Sequence, residues 1–101
     1  MVTLQELICL LETARTDLFK RKAAIAQFQR LVWEQPASAL PDEGKETLKV
    51  LAYDLDFFEP DPEVRRGDST LYGVPRLESE LLAALQKLDP DGSLRNKAEK
   101  G

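Results

Sequence analysis

Acidic and aromatic side chains crowd into one short stretch of this sequence, YDLDFFEPDPE at residues 53–63. Five carboxylates and three aromatic rings occupy its eleven positions. Carboxylates are the side chains that could serve here as general acids and bases or as metal ligands, because the chain has no histidine. Their spacing decides whether they suit catalysis, metal binding or recognition. The five acids are Asp54, Asp56, Glu59, Asp61 and Glu63.

The spacing of these acids does not suit catalysis or chelation. Asp54 and Asp56 are two residues apart on a predicted helix, so their side chains point about 200° apart and cannot share a proton or a metal ion. The stretch also lacks the glycine that a calcium loop needs at its sixth position. Cys9 has no histidine to activate it, so we predict an inert thiol. We therefore expect no catalytic residue, no metal site and no cofactor, and predict that the protein is not an enzyme.

The net negative charge of the protein comes from one part of the chain. Residues 41–63 carry a net charge of -6, whereas residues 1–40 and residues 64–101 each carry +1. A field of this sign repels nucleic acid and anionic lipid, and it attracts a basic protein surface. Val50, Tyr53 and Phe57 fall outside the predicted core stripe and add apolar anchors among the acids. The pattern favours a protein-binding surface over the alternative, a solvated helix face.

Size and composition indicate one small domain. The chain has 101 residues, of which 43% are hydrophobic and 32% charged, with a net charge of -4. A single cysteine, Cys9, excludes an internal disulfide framework, and it falls off the apolar stripe of the first helix. The opening MVTLQELICLLETAR lacks the basic region and the long apolar run of a signal peptide or a membrane span. We therefore expect a cytoplasmic protein.

Helical periodicity predicts the first two structural elements. Thr3 and Glu6 form a capping box, and the first helix that follows runs to about Arg15 or Leu18. A second amphipathic helix ends at Gln35, because Pro36 excludes the residue before it from the α region. Each helix is therefore expected to bury one face. The stripes are Leu4, Leu7, Ile8, Leu11 and Ala14, followed by Ile25, Phe28, Leu31 and Val32.

Two more helices are predicted after the loop PASALPDEG. The third begins at residues 41–43 and is closed by Glu59 and Pro60. Residues 61–73 are rich in proline and glycine and predict an irregular loop, with room for one helical turn at DPEVRR. The last helix begins near Pro75. Their stripes are Leu48, Leu51, Ala52, Leu55 and Phe58, followed by Leu77, Leu81, Ala84, Leu85 and Leu88.

These elements predict an all-α fold, an antiparallel four-helix bundle with a long loop between helices 3 and 4. Residues 1–90 form the single domain and residues 91–101 a flexible C-terminal tail. No segment alternates with the period of a strand. Trp33 lies beside the second stripe, and we predict that it covers the core rather than facing solvent.

Four segments of the sequence are similar to one protein family. The opening helix LQELICLLETA leads through a basic turn to IAQFQRLVWE. A third helix then ends in FFEPDPEVR, and a tyrosine-containing loop and a leucine-rich helix follow in DSTLYGVPRLESELLAALQKL. This layout resembles the bacterial self-protective colicin-like immunity proteins, the group that includes the immunity protein of colicin D. The likeness spans residues 3–88, and its one sharp motif surrounds Pro60. Ala23 and Ala24, where a polar cap is expected, and the LYGVP entry to the last helix depart from the pattern.

The resemblance implies a cytoplasmic four-helix inhibitor that binds the nuclease domain of a cognate bacterial toxin and blocks its active site. Members of this family counter toxins that cleave transfer RNA. A nuclease cleft is basic because it holds phosphates, and carboxylates could occupy the phosphate positions. The partner would therefore be a nuclease with a basic active-site cleft, with no direct binding of nucleic acid or membrane. The expected phosphate substitutes are Asp54, Asp56, Glu59, Asp61 and Glu63, and the expected apolar anchors are Tyr53, Phe57 and Tyr72.

Two other functions use the same acidic stretch. A small acidic helical adaptor could bind another basic protein, or a second copy through Arg65 and Arg66. A metal-dependent enzyme that uses the carboxylates is the more remote alternative. An immunity protein differs from an adaptor because it is encoded directly beside its toxin.

Overall fold

The regular elements of this protein are helices, which confirms the predicted all-α class. The computed structural model describes residues 3–34, 42 and 44–93, and in these residues it contains no strand, only an isolated bridge between Phe58 and Tyr72. The described residues form five helices rather than four, because the predicted turn at DPEVRR is a short helix. They are α1 Leu4–Thr16, α2 Arg21–Glu34, α3 Lys45–Leu55, α4 Pro62–Arg66 and α5 Val74–Leu88.

Helix α1 begins at a side-chain cap. The hydroxyl of Thr3 accepts a hydrogen bond from the amide of Glu6 at 3.1 Å, which is the half of the predicted capping box that caps the helix amides. After α1 ends, Asp17 Oδ1 accepts from the amides of Phe19 and Lys20 at 3.0 and 3.1 Å. Asp17 therefore supplies the polar cap that the alanines at the start of α2 cannot provide.

A buried arginine joins α1 to α2. Arg21 is 6% exposed. Its Nε donates to the carbonyl of Ala14 at 2.7 Å, and its Nη2 donates to the carbonyl of Arg15 at 3.0 Å. These carbonyls belong to the last turn of α1, where no further helical amide can reach them. Arg21 thus satisfies the end of one helix from the first residue of the next.

The four longer helices enclose one apolar core. Helix α1 contacts α2 and α5, and α3 contacts the same two helices. The predicted stripes supply this core, with Leu4, Leu31, Phe58 and Leu88 only partly buried at its edge. Trp33 is an error of prediction, since it is 55% exposed and lies at the surface end of α2. The fully buried positions are Leu7, Ile8, Leu11, Ala14, Ala24, Ile25, Phe28, Val32, Leu48, Leu51, Ala52, Leu55, Tyr72, Leu77, Leu81, Ala84 and Leu85.

Helix α3 is shorter than predicted at its C-terminal end. It ends at Leu55, four residues before the predicted end at Glu59. The amides of residues 56–58 donate three residues back at 3.1–3.2 Å, which tightens the last turn. Pro60 explains the stop, because it has no amide to continue the ladder and its ring would clash with the carbonyl of Asp56. Phe58 leaves the helix as a result and pairs with Tyr72.

The start of α3 depends on a glycine. Gly44 precedes the first helical residue, Lys45, and has a φ of 86°, a conformation that L side chains rarely adopt. A Cβ atom at Gly44 would also collide with the side chain of Leu88. The start of α3 therefore lies against the end of α5. The predicted helix entry at Pro41 and Glu43, the predicted stop at Gln35 and Pro36, and residues 94–101 of the predicted tail lie outside the described residues.

The core assignment of Leu55 can be tested by truncation. Leu55 is 2% exposed at the centre of the α3 stripe. We expect Leu55→Ala to lower the free energy of unfolding by about 2 to 5 kcal/mol, because it removes buried methyl groups and leaves a cavity. Urea unfolding followed by circular dichroism measures this loss. The matched control is Val50→Ala on the same helix, which is exposed and should change stability by less than about 0.5 kcal/mol. Equal losses in the two variants would contradict the helical phase of α3.

Candidate functional site

The acidic stretch leaves the helices at the end of α3 and is held in place by Tyr72. The amide of Tyr72 donates to the carbonyl of Phe57 at 3.0 Å, and the amide of Glu59 donates to the carbonyl of Tyr72 at 2.9 Å. These two bonds form the isolated parallel bridge between Phe58 and Tyr72. The segment before α5 thus fixes the backbone on which the acids are carried.

Tyr72 is a core residue, which corrects its predicted role as an exposed anchor. Its side chain is 5% exposed. Its hydroxyl donates to the carbonyl of Asp54 at 2.9 Å, and the guanidinium carbon of Arg76 lies 4.6 Å from the centre of its ring. Burial, reinforced by the charges of Asp54 and Glu80, raises the pKa of the Tyr72 phenol well above its ordinary value. A partner could not contact this ring without opening the core.

Asp54 is engaged within the protein, which argues against its predicted role as a phosphate substitute. Its Oδ1 lies 3.6 Å from Arg76 Nη2, and Nε of the same arginine lies 3.5 Å from Glu80 Oε1. The Asp54 side chain is 25% exposed. Its Oδ2 is buried and accepts no hydrogen bond from the described residues. Asp54 therefore faces α5 and contributes little to the outer surface.

Glu59 and Arg65 close the turn that follows α3. Glu59 Oε2 accepts from the amide of Asp61 at 3.1 Å, and Arg65 Nη1 donates to the carbonyl of Glu59 at 2.7 Å. The Arg65 guanidinium lies against Gly73, where a Cβ atom would sit 2.5 Å from Arg65 Nη1. The missing side chain at Gly73 thus makes room for Arg65. Glu59 is only partly exposed and acts mainly on its own loop.

Asp61 and Glu63 lie on the exposed helix α4. Asp61 Oδ1 accepts from the amide of Glu63 at 2.9 Å and caps the helix, which has Pro62 in its first turn and no buried residue. Glu63 pairs with Arg66 at 3.2 Å on the surface. Both acids are exposed. The Asp61 cap also means that its carboxylate is held in one orientation before any partner binds.

Tyr53, Phe57 and Asp56 complete the exposed part of the stretch. The rings of Tyr53 and Phe57 meet edge to face with centroids 5.4 Å apart. Tyr53 is 66% exposed and Phe57 is half-buried against the core. Asp56 is exposed at the end of α3. We call the four exposed residues Tyr53, Asp56, Asp61 and Glu63 the acidic surface.

Two grooves flank α3 and separate the first two acids. A groove of about 390 Å³ between α3 and α5 is lined by Asp54 and Glu80, and one of about 500 Å³ between α2 and residues 55–60 is lined by Asp56 and Glu59. Asp54 and Asp56 therefore lie on different sides of α3, as their two-residue spacing predicts. This placement excludes a carboxylate dyad formed by these two residues.

Sequence reasoning missed an exposed apolar corner between α1 and α2. Leu18 is 71% exposed and Phe19 is fully exposed. Leu18 also lines the groove between α2 and residues 55–60. The signal in the sequence is the pair itself, which falls between the stripes of the first two helices and is followed by basic residues in KRK. Both side chains project from a turn that Asp17 fixes.

The part of the chain that the structure describes contains neither a candidate metal site nor a candidate membrane-spanning helix. Across residues 3–34, 42 and 44–93, no group of three or more His, Cys, Asp or Glu residues is arranged to hold a metal ion. Within the same residues, no helix is long and apolar enough to cross a membrane. Cys9 is a free, exposed thiol, in agreement with its predicted position off the apolar stripe.

Comparison with known proteins finds no relative of this chain. No protein-family model matches it, and no curated protein or solved structure is significantly similar to it.

The role of the Tyr72 hydroxyl can be tested by its removal. Tyr72→Phe removes the bond from this hydroxyl to the carbonyl of Asp54, which still accepts the amide of Phe57, and should lower the free energy of unfolding by about 0.5 to 1.5 kcal/mol at pH 7. Urea unfolding measures the loss. Tyr53→Phe is the matched control, because it removes an exposed hydroxyl and should be nearly neutral. Equal stability of the two variants would contradict the buried hydrogen bond.

The pH dependence of stability gives a second test of the same group. Since the folded state raises the pKa of Tyr72, the folded protein keeps the phenol proton where the unfolded chain loses it. The stabilisation is complete below the ordinary tyrosine pKa of about 10 and declines as the pH rises above it. We expect the stability of wild-type protein relative to Tyr72→Phe to fall between about pH 9.5 and pH 11. A pH-independent difference between the two proteins would contradict this linkage.

Proposed function

We propose that this protein is a bacterial immunity protein of the colicin-D type, a cytoplasmic inhibitor that binds the nuclease domain of a cognate toxin and blocks its active site. The observation that carries the proposal is the acidic surface, in which the exposed Tyr53 of α3 is followed within ten residues by three exposed carboxylates, one of which caps α4. The substrate of the toxin would be transfer RNA, as the resemblance to the family implies. The inhibitor itself performs no catalysis.

The carboxylates of the acidic surface would replace RNA phosphates in a basic cleft. Lysine and arginine side chains that hold phosphates can hold carboxylates in charge-assisted hydrogen bonds. Asp61 is suited to this role because its cap to Glu63 already orients it, which reduces the ordering required on binding. Tyr53 would provide the apolar contact, with its ring supported by Phe57.

The engaged residues of the stretch would position the surface rather than contact the toxin. Tyr72 holds the backbone of residues 57–59, and Glu59 and Arg65 close the turn before α4. Asp54 pairs with Arg76 and turns towards α5. The predicted set of eight contact residues thus divides into exposed and positioning members. The exposed members are Tyr53, Asp56, Asp61 and Glu63, and the positioning members are Asp54, Phe57, Glu59 and Tyr72.

The fold supports an antiparallel four-helix bundle with α4 in the connection before the last helix. The four longer helices contact one another in the cyclic order α1, α2, α3, α5. Gly44 lies against Leu88 at one end of the α3–α5 pair, and Asp54 lies beside Arg76 at the other. Across the α2–α3 pair, Gln29 Nε2 donates to the carbonyl of Ala52 at 3.1 Å. These contacts fit the arrangement that the resemblance to the immunity family implies.

Neutralising the acidic surface tests the proposal. The variant Asp56→Asn, Asp61→Asn, Glu63→Gln removes three charges, and asparagine at position 61 keeps the cap of α4. We expect its affinity for the nuclease encoded beside this protein to fall by at least about a hundredfold, because desolvated charge pairs are lost. Calorimetry measures binding, and cleavage of transfer RNA by the nuclease measures inhibition. Association of the wild-type pair should also slow as salt rises.

The matched control removes the same number of charges elsewhere. The variant Glu6→Gln, Glu34→Gln, Glu78→Gln changes exposed acids on α1, α2 and α5. We expect it to bind and inhibit nearly as well as wild type, and both triple variants to unfold at the same urea concentration as wild type. Equal affinities of the two triple variants would contradict phosphate replacement by this surface. If no neighbouring nuclease binds the wild-type protein, the acidic adaptor becomes the better interpretation.

A further inference from the structure

The groove between α2 and residues 55–60 has walls of opposite charge. The α2 wall carries the exposed Lys22, and the opposite wall carries Asp56 and Glu59. Arg21 also lines this groove, but its guanidinium is bonded to the carbonyls at the end of α1. The floor between the walls is apolar and includes Ile25. A ligand that complements this groove must therefore carry both signs of charge around an apolar centre.

The exposed apolar corner formed by Leu18 and Phe19 lies at one end of the groove. Leu18 lines the groove, and the fully exposed Phe19 follows it in the chain. The turn that carries them is held by Asp17, so these side chains are presented in a fixed position. Adjacent large apolar side chains exposed on a fixed turn are typical of a surface that another molecule covers.

We propose that a second copy of this chain covers the groove in an isologous dimer. A two-fold axis parallel to the groove would place Lys22 of each copy opposite Asp56 and Glu59 of the other, so each charged pair occurs twice. The same axis would bring the two Leu18–Phe19 corners together. The chain therefore carries the charges that complement those of its own groove.

The charges of the groove favour a second copy over other occupants. A basic nuclease surface would meet Lys22 with like charge, and Lys20 follows the exposed corner directly. An anionic membrane would be repelled by Asp56 and Glu59 on the opposite wall and by the net charge of -4. The contact surface is small beside that of a stable dimer, which buries about 800 Å² on each partner. The dimer should accordingly be weak and in rapid exchange with monomer.

Sedimentation equilibrium of the full chain tests the dimer. The average mass should rise from 11.4 kDa towards twice that value as the concentration is raised. A range from about 10 µM to about 1 mM covers the dissociation constants expected of a weak interface. Phe19→Ser should raise the dissociation constant by about tenfold or more, because it removes an apolar contact at the axis. Lys22→Glu and Asp56→Lys should each do the same, because each places like charges opposite one another.

The charge-swap variant separates a specific interface from general electrostatics. The double variant Lys22→Glu, Asp56→Lys restores opposite charges across the two-fold axis, so it should dimerise more strongly than either single variant. Lys49→Glu, an exposed change of the same size on α3, should leave the dissociation constant unchanged. Circular dichroism melting checks that each variant is folded. A wild-type mass of 11.4 kDa at every concentration, no recovery in the double variant, or binding of the monomer to anionic vesicles would each overturn the proposal.

Discussion

Tyr72 is the residue on which the arrangement of the acidic surface depends. Its backbone pairs with residues 57–59, its hydroxyl bonds to α3 at Asp54, and its ring lies under Arg76 of α5. The end of α3 with the residues that follow it and the start of α5 therefore meet at one buried side chain. Because the ring is buried with its hydroxyl paired, moving it would expose apolar area and leave the hydroxyl without its partner. The exit direction of the acidic stretch follows from this constraint.

Hydrogen bonds and ion pairs within the protein offset the repulsion among several of its acids. Asp54 is offset by Arg76, Glu59 and Asp61 accept backbone amides, and Glu63 pairs with Arg66. The interactions of Glu59, Asp61 and Glu63 are local in sequence. The exposed ion pair on α4 stabilises the protein only modestly. Together they fix the short helix α4, which has no buried residue, at the end of the acidic stretch. The carboxylates of the acidic surface are thus oriented before any partner arrives, which is the property an inhibitor of a rigid cleft requires.

Much of the core could be predicted from the sequence, because burial follows the helical period that the sequence displays. Leu7, Leu51 and Leu81 are buried where their stripes place them. The failures concern contacts that no local pattern encodes. Tyr72 is predicted as an apolar anchor for the toxin, and no local pattern indicates its burial, because its partners are Asp54, 18 residues away, and Phe58 across the bridge. Trp33 was taken for a core residue, although its position beside the stripe leaves it 55% exposed.

The acidic surface and the bipolar groove share Asp56, so the two proposed interactions exclude each other at that residue. A toxin that engages Asp56 would have to displace the second copy, and its apparent affinity would fall by the fraction of protein that is dimeric. Because the proposed dimer is weak, the loss of apparent affinity for the toxin is small at low protein concentration. At high concentration the dimer covers Phe19. Exposed apolar side chains are an aggregation hazard for a protein that accumulates before its partner appears. Reversible self-association would limit that hazard without closing the surface to a tighter-binding basic partner.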